Sequence, residues 1–280
     1  MTLAPLSAQA LLRQHGLRPK KSLGQNFLVD EGWLQRIVQA AGVGAQDEVL
    51  EIGAGLGSLT RHLALVAARV CAVELDSRLM GVLQQTLAEF GNVRLVQGDI
   101  LDMNPGEWMR SSGYLVAANI PYYITSALMR HLLAAERKPR RLALTIQKEV
   151  ALRICAAPGQ LSLLALSVQV FGEARMEFCI PAGAFYPAPG VDSALLTVRL
   201  YPQPLIAPAD LETFFSLARA AFSHKRKMLH NALAGYDGLG SAGAARLLQQ
   251  AEIDGNRRAQ TLSLAEWGRL ARVFREGQER

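Results

Sequence analysis

The residues of this chain richest in chemistry are Asn119-Ile120-Pro121-Tyr122. An Asn carboxamide oxygen accepts a hydrogen bond from an exocyclic amine. Pro121 restricts Ile120 to extended geometry and so sets the turn, and Tyr122 offers a flat face to a base. Together they suggest a pocket for an amino-bearing nucleobase. Upstream, Val49-Leu50-Glu51-Ile52 runs into Gly53-Ala54-Gly55-Leu56-Gly57 and then Ser58-Leu59-Thr60, which reads as strand, glycine loop and helix. The glycines, Gly53 and Gly55 foremost, let backbone approach a ligand without a Cβ clash. The spacing is G-x-G-x-G, with the third glycine one residue early for a dinucleotide site, and no Lys-Ser/Thr pair follows to make a P-loop. Glu74 ends the next strand pattern, where its two carboxylate oxygens match a vicinal diol. Asp99 follows the third and can accept from an adenine amino group. Four residues alone match by chance; a glycine loop and two carboxylates at three consecutive strand tips do so far less often. An adenosine without a pyrophosphate fits them, and S-adenosylmethionine is the expected cofactor.

Elements must hold these groups together. Apolar runs at 48–52, 69–74, 93–97, 114–118 and 142–147 read as strands, with helical patterns between them at 77–90 and 125–135 and one before them through 33–38. That alternation predicts an α/β fold with a parallel sheet, whose ligands bind at the carboxyl ends of the strands. Two further apolar runs, 163–171 and 194–200, are expected to close the sheet edge as a long-looped hairpin. Tyr201-Pro202-Gln203-Pro204 marks a boundary, giving a domain of residues 1–204 for the cofactor and the base, and a helical domain of residues 205–280. In the latter, Asp210 is expected to cap a helix, 217–233 to continue helical, and 244–251 and 264–274 to form two more.

Composition narrows the class. The chain has 280 residues, half of them hydrophobic, with no apolar run near the roughly 20 residues that span a bilayer. No membrane, a cytoplasmic location and a monomer are the expectations. Cys71, Cys155 and Cys179 are too far apart for zinc spacing and odd in number for a disulfide framework, and the histidines lack metal-site spacing, so no metal is expected. The net charge of +6 favours a polyanionic partner. Cations cluster at 18–21, at 137–141 and at His224-Lys225-Arg226-Lys227. Beside a base-shaped pocket these clusters point to nucleic acid, with Lys225, Arg226 and Lys227 as the expected phosphate contacts.

Several motifs, taken in order, resemble one family. They are Gln25-Asn26-Phe27-Leu28, the Glu51 to Gly57 loop, Glu74, Gly98-Asp99-Ile100, Asn119-Ile120-Pro121-Tyr122, Gln147-Lys148-Glu149-Val150, and the run from Phe185-Tyr186-Pro187 to Asp192-Ser193. The pattern resembles the ribosomal RNA adenine N6-dimethyltransferases, and within them the bacterial small-subunit (16S) branch. The resemblance implies a Rossmann-like seven-stranded S-adenosylmethionine-dependent methyltransferase fold with a small all-helical C-terminal domain. It implies cofactor contacts at Asn26, Leu28, Gly53, Glu74, Asp99 and Asn119, with the lead-in folded over the cofactor. It also implies a substrate: two adjacent adenosines in a hairpin near the 3′ end of 16S rRNA, within an assembling 30S subunit. In that setting Asn119 and the carbonyl of Ile120 or Pro121 are expected to accept the N6 hydrogens, while Tyr122, with Phe185, stacks on the extruded adenine. An RNA-binding assembly factor with a vestigial pocket has no need of the intact glycine, Glu74, Asp99 and Asn119 set.

Overall fold

The computed structural model describes residues 3–110, 112–224 and 226–278. Its strands are β1 (Phe27–Leu28), β2 (Glu48–Ile52), β3 (Arg69–Glu74), β4 (Val93–Gln97), β5 (Leu115–Asn119), β6 (Arg141–Gln147), β7 (Gly172–Ile180), β8 (Phe185–Tyr186) and β9 (Ser193–Leu200). Its α-helices are α1 (Ala8–Gln14), α2 (Glu31–Ala41), α3 (Ser58–Ala64), α4 (Met80–Thr86), α5 (Thr125–Ala134), α6 (Lys148–Ile154), α7 (Leu163–Gln169), α8 (Pro208–Phe222), α9 (Leu229–Leu233), α10 (Gly240–Gln250) and α11 (Leu264–Gln278). Seven strands form one sheet in the order β4-β3-β2-β5-β6-β9-β7, while β1 and β8 pair antiparallel by themselves. From β4 to β6 the neighbours run parallel, and β9 lies antiparallel to β6.

The strands form because their side chains are apolar on both faces. On one face Val49, Val70, Ala72, Leu115, Ala117 and Ala143 share a core with Leu34 and Ile37 of α2 and Leu59 and Leu63 of α3. The intervening Leu50, Cys71, Val116, Leu142 and Leu144 are at most 1% exposed, so the other face is covered too, as parallel strands require. The connectivity sets the site. From β2 the chain steps outward through β3 and β4, then returns to the other side of β2 as β5. The carboxyl ends of β2 and β5 therefore flank a topological switch point, where open α/β sheets bind ligands.

Three expectations about the elements need correction. Residues 163–171 are not a sheet strand: 163–169 form α7, opened by Ser162, whose side chain accepts from Ala165 N–H at 3.1 Å. A short apolar run does not distinguish a buried helix from a strand. The strand beside β9 is β7, whose Glu173, Arg175 and Glu177 alternate with Ala174, Met176 and Phe178 and so hide the apolar signal. The expected helix over 217–233 is interrupted between Phe222, the end of α8, and Leu229, the start of α9. Asp210 is not the cap of α8; it lies inside the first turn, buried, and accepts from Arg275 Nε at 2.7 Å.

The domain division also differs from 1–204 and 205–280. One compact unit comprises Met1–Ala151 with Ala174–Leu200, the other Leu152–Glu173 with Tyr201–Arg280. The cause is α7 and its flanks, where Leu161, Ala165, Leu166 and Val170 share a core with Phe214, Leu217, Leu262 and Trp267. Backbone bonds tie the same segment there: Gly159 N–H donates to Gln260 O at 3.0 Å and Tyr201 N–H to Phe171 O at 2.9 Å. Among the described residues no helix is long and apolar enough to cross a membrane.

Candidate active site

Four strand tips of the first unit converge on one cavity. It is lined by Gly53 and Gly55 after β2, Glu74 at the end of β3, Asp99 after β4, and Asn119 to Tyr122 after β5. The parallel register, Ile52 with Val73 and with Ala118, and Glu74 with Gln97, is what brings residues so distant in sequence to one edge.

The glycine loop is built around a left-handed backbone. Gly55 has φ +61°, and a Cβ there would lie 3.0 Å from a Phe27 ring carbon. Its N–H donates to Glu74 Oε2 at 2.8 Å, and Asp76 N–H donates to Glu74 Oε1 at 2.8 Å. Burial pushes the Glu74 carboxyl up, and those two N–H groups act against the shift. Each oxygen is thereby held in place by one donor and keeps a lone pair for a hydroxyl. Asp99 accepts from Leu101 N–H through Oδ1 at 2.9 Å, which leaves Oδ2 for a further donor. Beneath the loop Glu51 is 1% exposed, and its carboxyl is pushed up to about 8, chiefly by burial, with the neighbouring Glu74 charge acting in the same direction. The Thr60 hydroxyl offsets this only in part, and by geometry neither Glu51 Oε2 nor Thr60 Oγ1 closes a hydrogen bond.

The lead-in is strapped across these tips. Gln25 donates from Nε2 to Asp76 Oδ2 at 2.9 Å and accepts Lys20 N–H at 2.7 Å. Asp76 is buried and its carboxyl is held at about 2, first by the Arg78 side chain. Asn119 Nδ2 donates to Asn26 O at 3.0 Å, and Asn26 lines the cavity. The strap continues into β1, which pairs with β8 so that Phe27 faces Tyr186 and Leu28 faces Phe185. Successive residues of a strand point to opposite faces. Phe27 therefore lines the cavity, whereas Leu28 and Phe185 enter the main core and are 3% and 4% exposed. The expectation that Phe185 stacks on the adenine is corrected accordingly, because its side chain lies in the core and not at the cavity; the Leu28 side chain lies there too, which leaves its backbone for the expected cofactor contact. The second aromatic residue at its mouth is Tyr123, 62% exposed.

The turn after β5 is braced from both ends. Tyr122 Oη and Ser193 Oγ are 2.7 Å apart, and burial pushes the Tyr122 phenol up. Pro121 O accepts Ile124 N–H at 3.2 Å. With Nδ2 of Asn119 committed to Asn26, its Oδ1 is the free end of the carboxamide. The electrostatic character of the cavity follows from its lining: two carboxylates, Glu74 and Asp99, and no Lys, Arg or His. In the second unit Arg226 and Lys227 are exposed between α8 and α9, and Lys225 lies outside the described residues.

Sequence reasoning missed two supports of this site, namely the Gln25–Asp76 tie and the Tyr122–Ser193 contact. Ser193 is 71 residues from Tyr122 along the chain, and only the pairing of β9 with β6 brings it near. Gln25 belongs to a motif and Asp76 stands near Glu74, but their contact depends on the fold of the lead-in.

A family model described as ribosomal RNA adenine dimethylase matches residues 16–275. The chain belongs to that family. Its members are S-adenosylmethionine-dependent methyltransferases. A ribosomal RNA small subunit methyltransferase A of Dehalococcoides mccartyi is 41% identical over 270 residues, covering 96% of this chain and 93% of that protein. One of the same name from Enterococcus faecalis is 39% identical, with 96% and 95% covered. Among solved structures, the 23S rRNA methyltransferase ErmE is 28% identical and superposes with a TM-score of 0.71 over 89% of this chain and 99% of its own.

The chain's own residues suit S-adenosylmethionine. The pocket has carboxylates for a diol and an amine, apolar walls from Ile100 and Leu101, a glycine cradle that a Cβ would fill, and no cation to receive a phosphate.

Proposed function

We propose that this adenine dimethylase transfers methyl groups to N6 of two adjacent adenosines in a hairpin near the 3′ end of 16S rRNA. The substrate in this reading is an assembling 30S particle, met in the cytoplasm by a single copy of the chain, and the outcome contributes to small-subunit biogenesis. The observation that carries the proposal is the cavity itself. A carboxylate-lined, cation-free adenosine site opens directly onto Asn119 and Tyr122. The small-subunit choice is supported by the higher identity to the two relatives named for that subunit, 41% and 39%, than to the 23S enzyme, 28%.

Bound S-adenosylmethionine supplies an electrophilic methyl group on a sulfonium. Glu74 would accept the ribose hydroxyls, and Asp99 Oδ2 the adenine amine of the cofactor. Difficulty lies with the nucleophile, because the adenine N6 lone pair is delocalised into the ring. Asn119 Oδ1 would accept one N6 hydrogen. Its orientation is set in advance by the Asn26 carbonyl on Nδ2. The Pro121 carbonyl is already taken by Ile124, so Ile120 O is the better second acceptor. Two such acceptors turn the amine lone pair toward the methyl group, which is positioning with preorganised dipoles. A mono-methylated amine keeps one N–H, so one acceptor suffices for the second transfer. The methylated ammonium loses its proton to water, and no strong general base is needed. Tyr122 would stack on the extruded base, worth about 1–3 kcal/mol, and the RNA must splay that base out first. Arg226, Lys227 and Lys225 would hold phosphates from the second unit.

The test is methyl transfer from labelled cofactor to undermethylated small and large ribosomal particles, with modified positions mapped. Label in two adjacent adenosines of the small-subunit RNA is expected. Label confined to the large subunit overturns the reading.

A further inference from the structure

A second concavity, a groove, adjoins the cavity. It shares Gly24, Gln25, Asn26 and Tyr122 with the cofactor cavity, so it ends where the acceptor base would sit. One wall is α1 with the segment after it, carrying Arg13, Arg18 and Lys21; the other is the 186–191 turn, beginning at Tyr186. All three cations are exposed, and among the described residues none has a side-chain hydrogen bond or ion pair. No Asp or Glu lines the groove. Its far wall is held by Asp192, whose Oδ1 accepts Ala182 N–H at 3.1 Å and whose backbone carbonyl accepts Lys148 N–H at 3.1 Å.

Charge sorts the two concavities by ligand. The cavity has carboxylates without cations, and the groove has cations without carboxylates. A base cannot enter the Asn119–Tyr122 site without its own backbone phosphates passing close by on one side or the other. A groove that combines unpaired cations with a tyrosine ring has the make-up of a single-strand nucleic-acid track.

We propose that this groove is the path of the single-stranded RNA next to the target adenosine. Arg13, Arg18 and Lys21 take its phosphates, and Tyr186 is a platform for a neighbouring base. The proposal rests on the RNA methylation reading and adds to it a strand-binding surface in the first unit, separate from Arg226 and Lys227 in the second.

The experiment compares the full-length wild type with a triple variant, Arg13→Gln, Arg18→Gln and Lys21→Gln. RNA affinity is measured with a synthetic 16S 3′-hairpin across a salt series, alongside methyl transfer to undermethylated small subunits. S-adenosylhomocysteine affinity by calorimetry and the melting temperature report on the cavity and the fold. Each single-strand phosphate that no longer meets a cation lowers the slope of log affinity against log salt by about 0.7, so three lower it by about 2. The expected result is that shallower slope with a raised KM for RNA, while S-adenosylhomocysteine affinity and melting temperature stay as in the wild type. An unchanged slope with unchanged KM overturns the groove proposal. A wild type that binds the RNA but transfers no methyl to small subunits overturns the methylation reading instead, and the binding series still decides the groove.

Discussion

Replacing Glu51 by Gln should change how stability depends on pH. Glu51 is 1% exposed, and its carboxyl titrates at about 8 against an ordinary value of 4.5. A raised acid pKa means the folded chain holds the proton more tightly than the unfolded chain. The stability this contributes is complete below pH 4.5 and is lost as pH rises through 8. At 1.36 kcal/mol per unit, the loss between pH 5 and pH 8 is about 3 kcal/mol. Gln is neutral throughout and does not undergo that loss. Whatever its buried amide costs is fixed and does not vary with pH. The assay is urea unfolding of both proteins at pH 5, 6, 7 and 8. The stability of the variant relative to wild type should climb by about 3 kcal/mol across that range. Because every other titrating group is common to both proteins, parallel pH profiles would refute the assignment of a buried, uncharged carboxyl to Glu51.

Two further substitutions probe the geometry around the cofactor and the base. Gly55→Ala places a Cβ 3.0 Å from the Phe27 ring at φ +61°, so thermal unfolding should show a loss of at least about 1 kcal/mol, and calorimetry a weaker affinity for S-adenosylhomocysteine through displacement of Glu74; no change in either measurement contradicts the cradle. Ser193→Ala removes the partner of the Tyr122 hydroxyl. It should raise KM for RNA, and a double-mutant cycle with Tyr122→Phe should be non-additive, whereas independent effects would show that Ser193 does not position the ring.

How much of this was legible in the sequence depended on whether the chemistry was local. The glycine loop, Glu74, Asp99 and the Asn119 to Tyr122 turn each announce themselves because a strand ends at them or just before them. The structure places all of them around one cavity. Asn26 and Leu28 come only with the family resemblance, and period-two alternation in β1 and β8 separates Phe27 at the cavity from Leu28 and Phe185 in the core. No composition rule shows which face of a two-residue strand points inward. The run at 163–171 was misread because an all-apolar stretch satisfies a strand and a helix alike, and β7 was missed because its charged residues conceal it. Charge was partly legible: the cluster at 18–21 is visible in sequence, but only the fold lays Arg18 and Lys21 beside Arg13 along one groove.

In the proposed mechanism Asn119 Oδ1 orients the adenine amine. Single-turnover methyl transfer by Asn119→Ala, with saturating RNA and cofactor, tests it most directly. The chemical rate should fall about a hundredfold or more, as for loss of one preorganised hydrogen-bonding group, with hairpin RNA affinity within a few-fold of wild type. A variant that transfers methyl at the wild-type rate contradicts it.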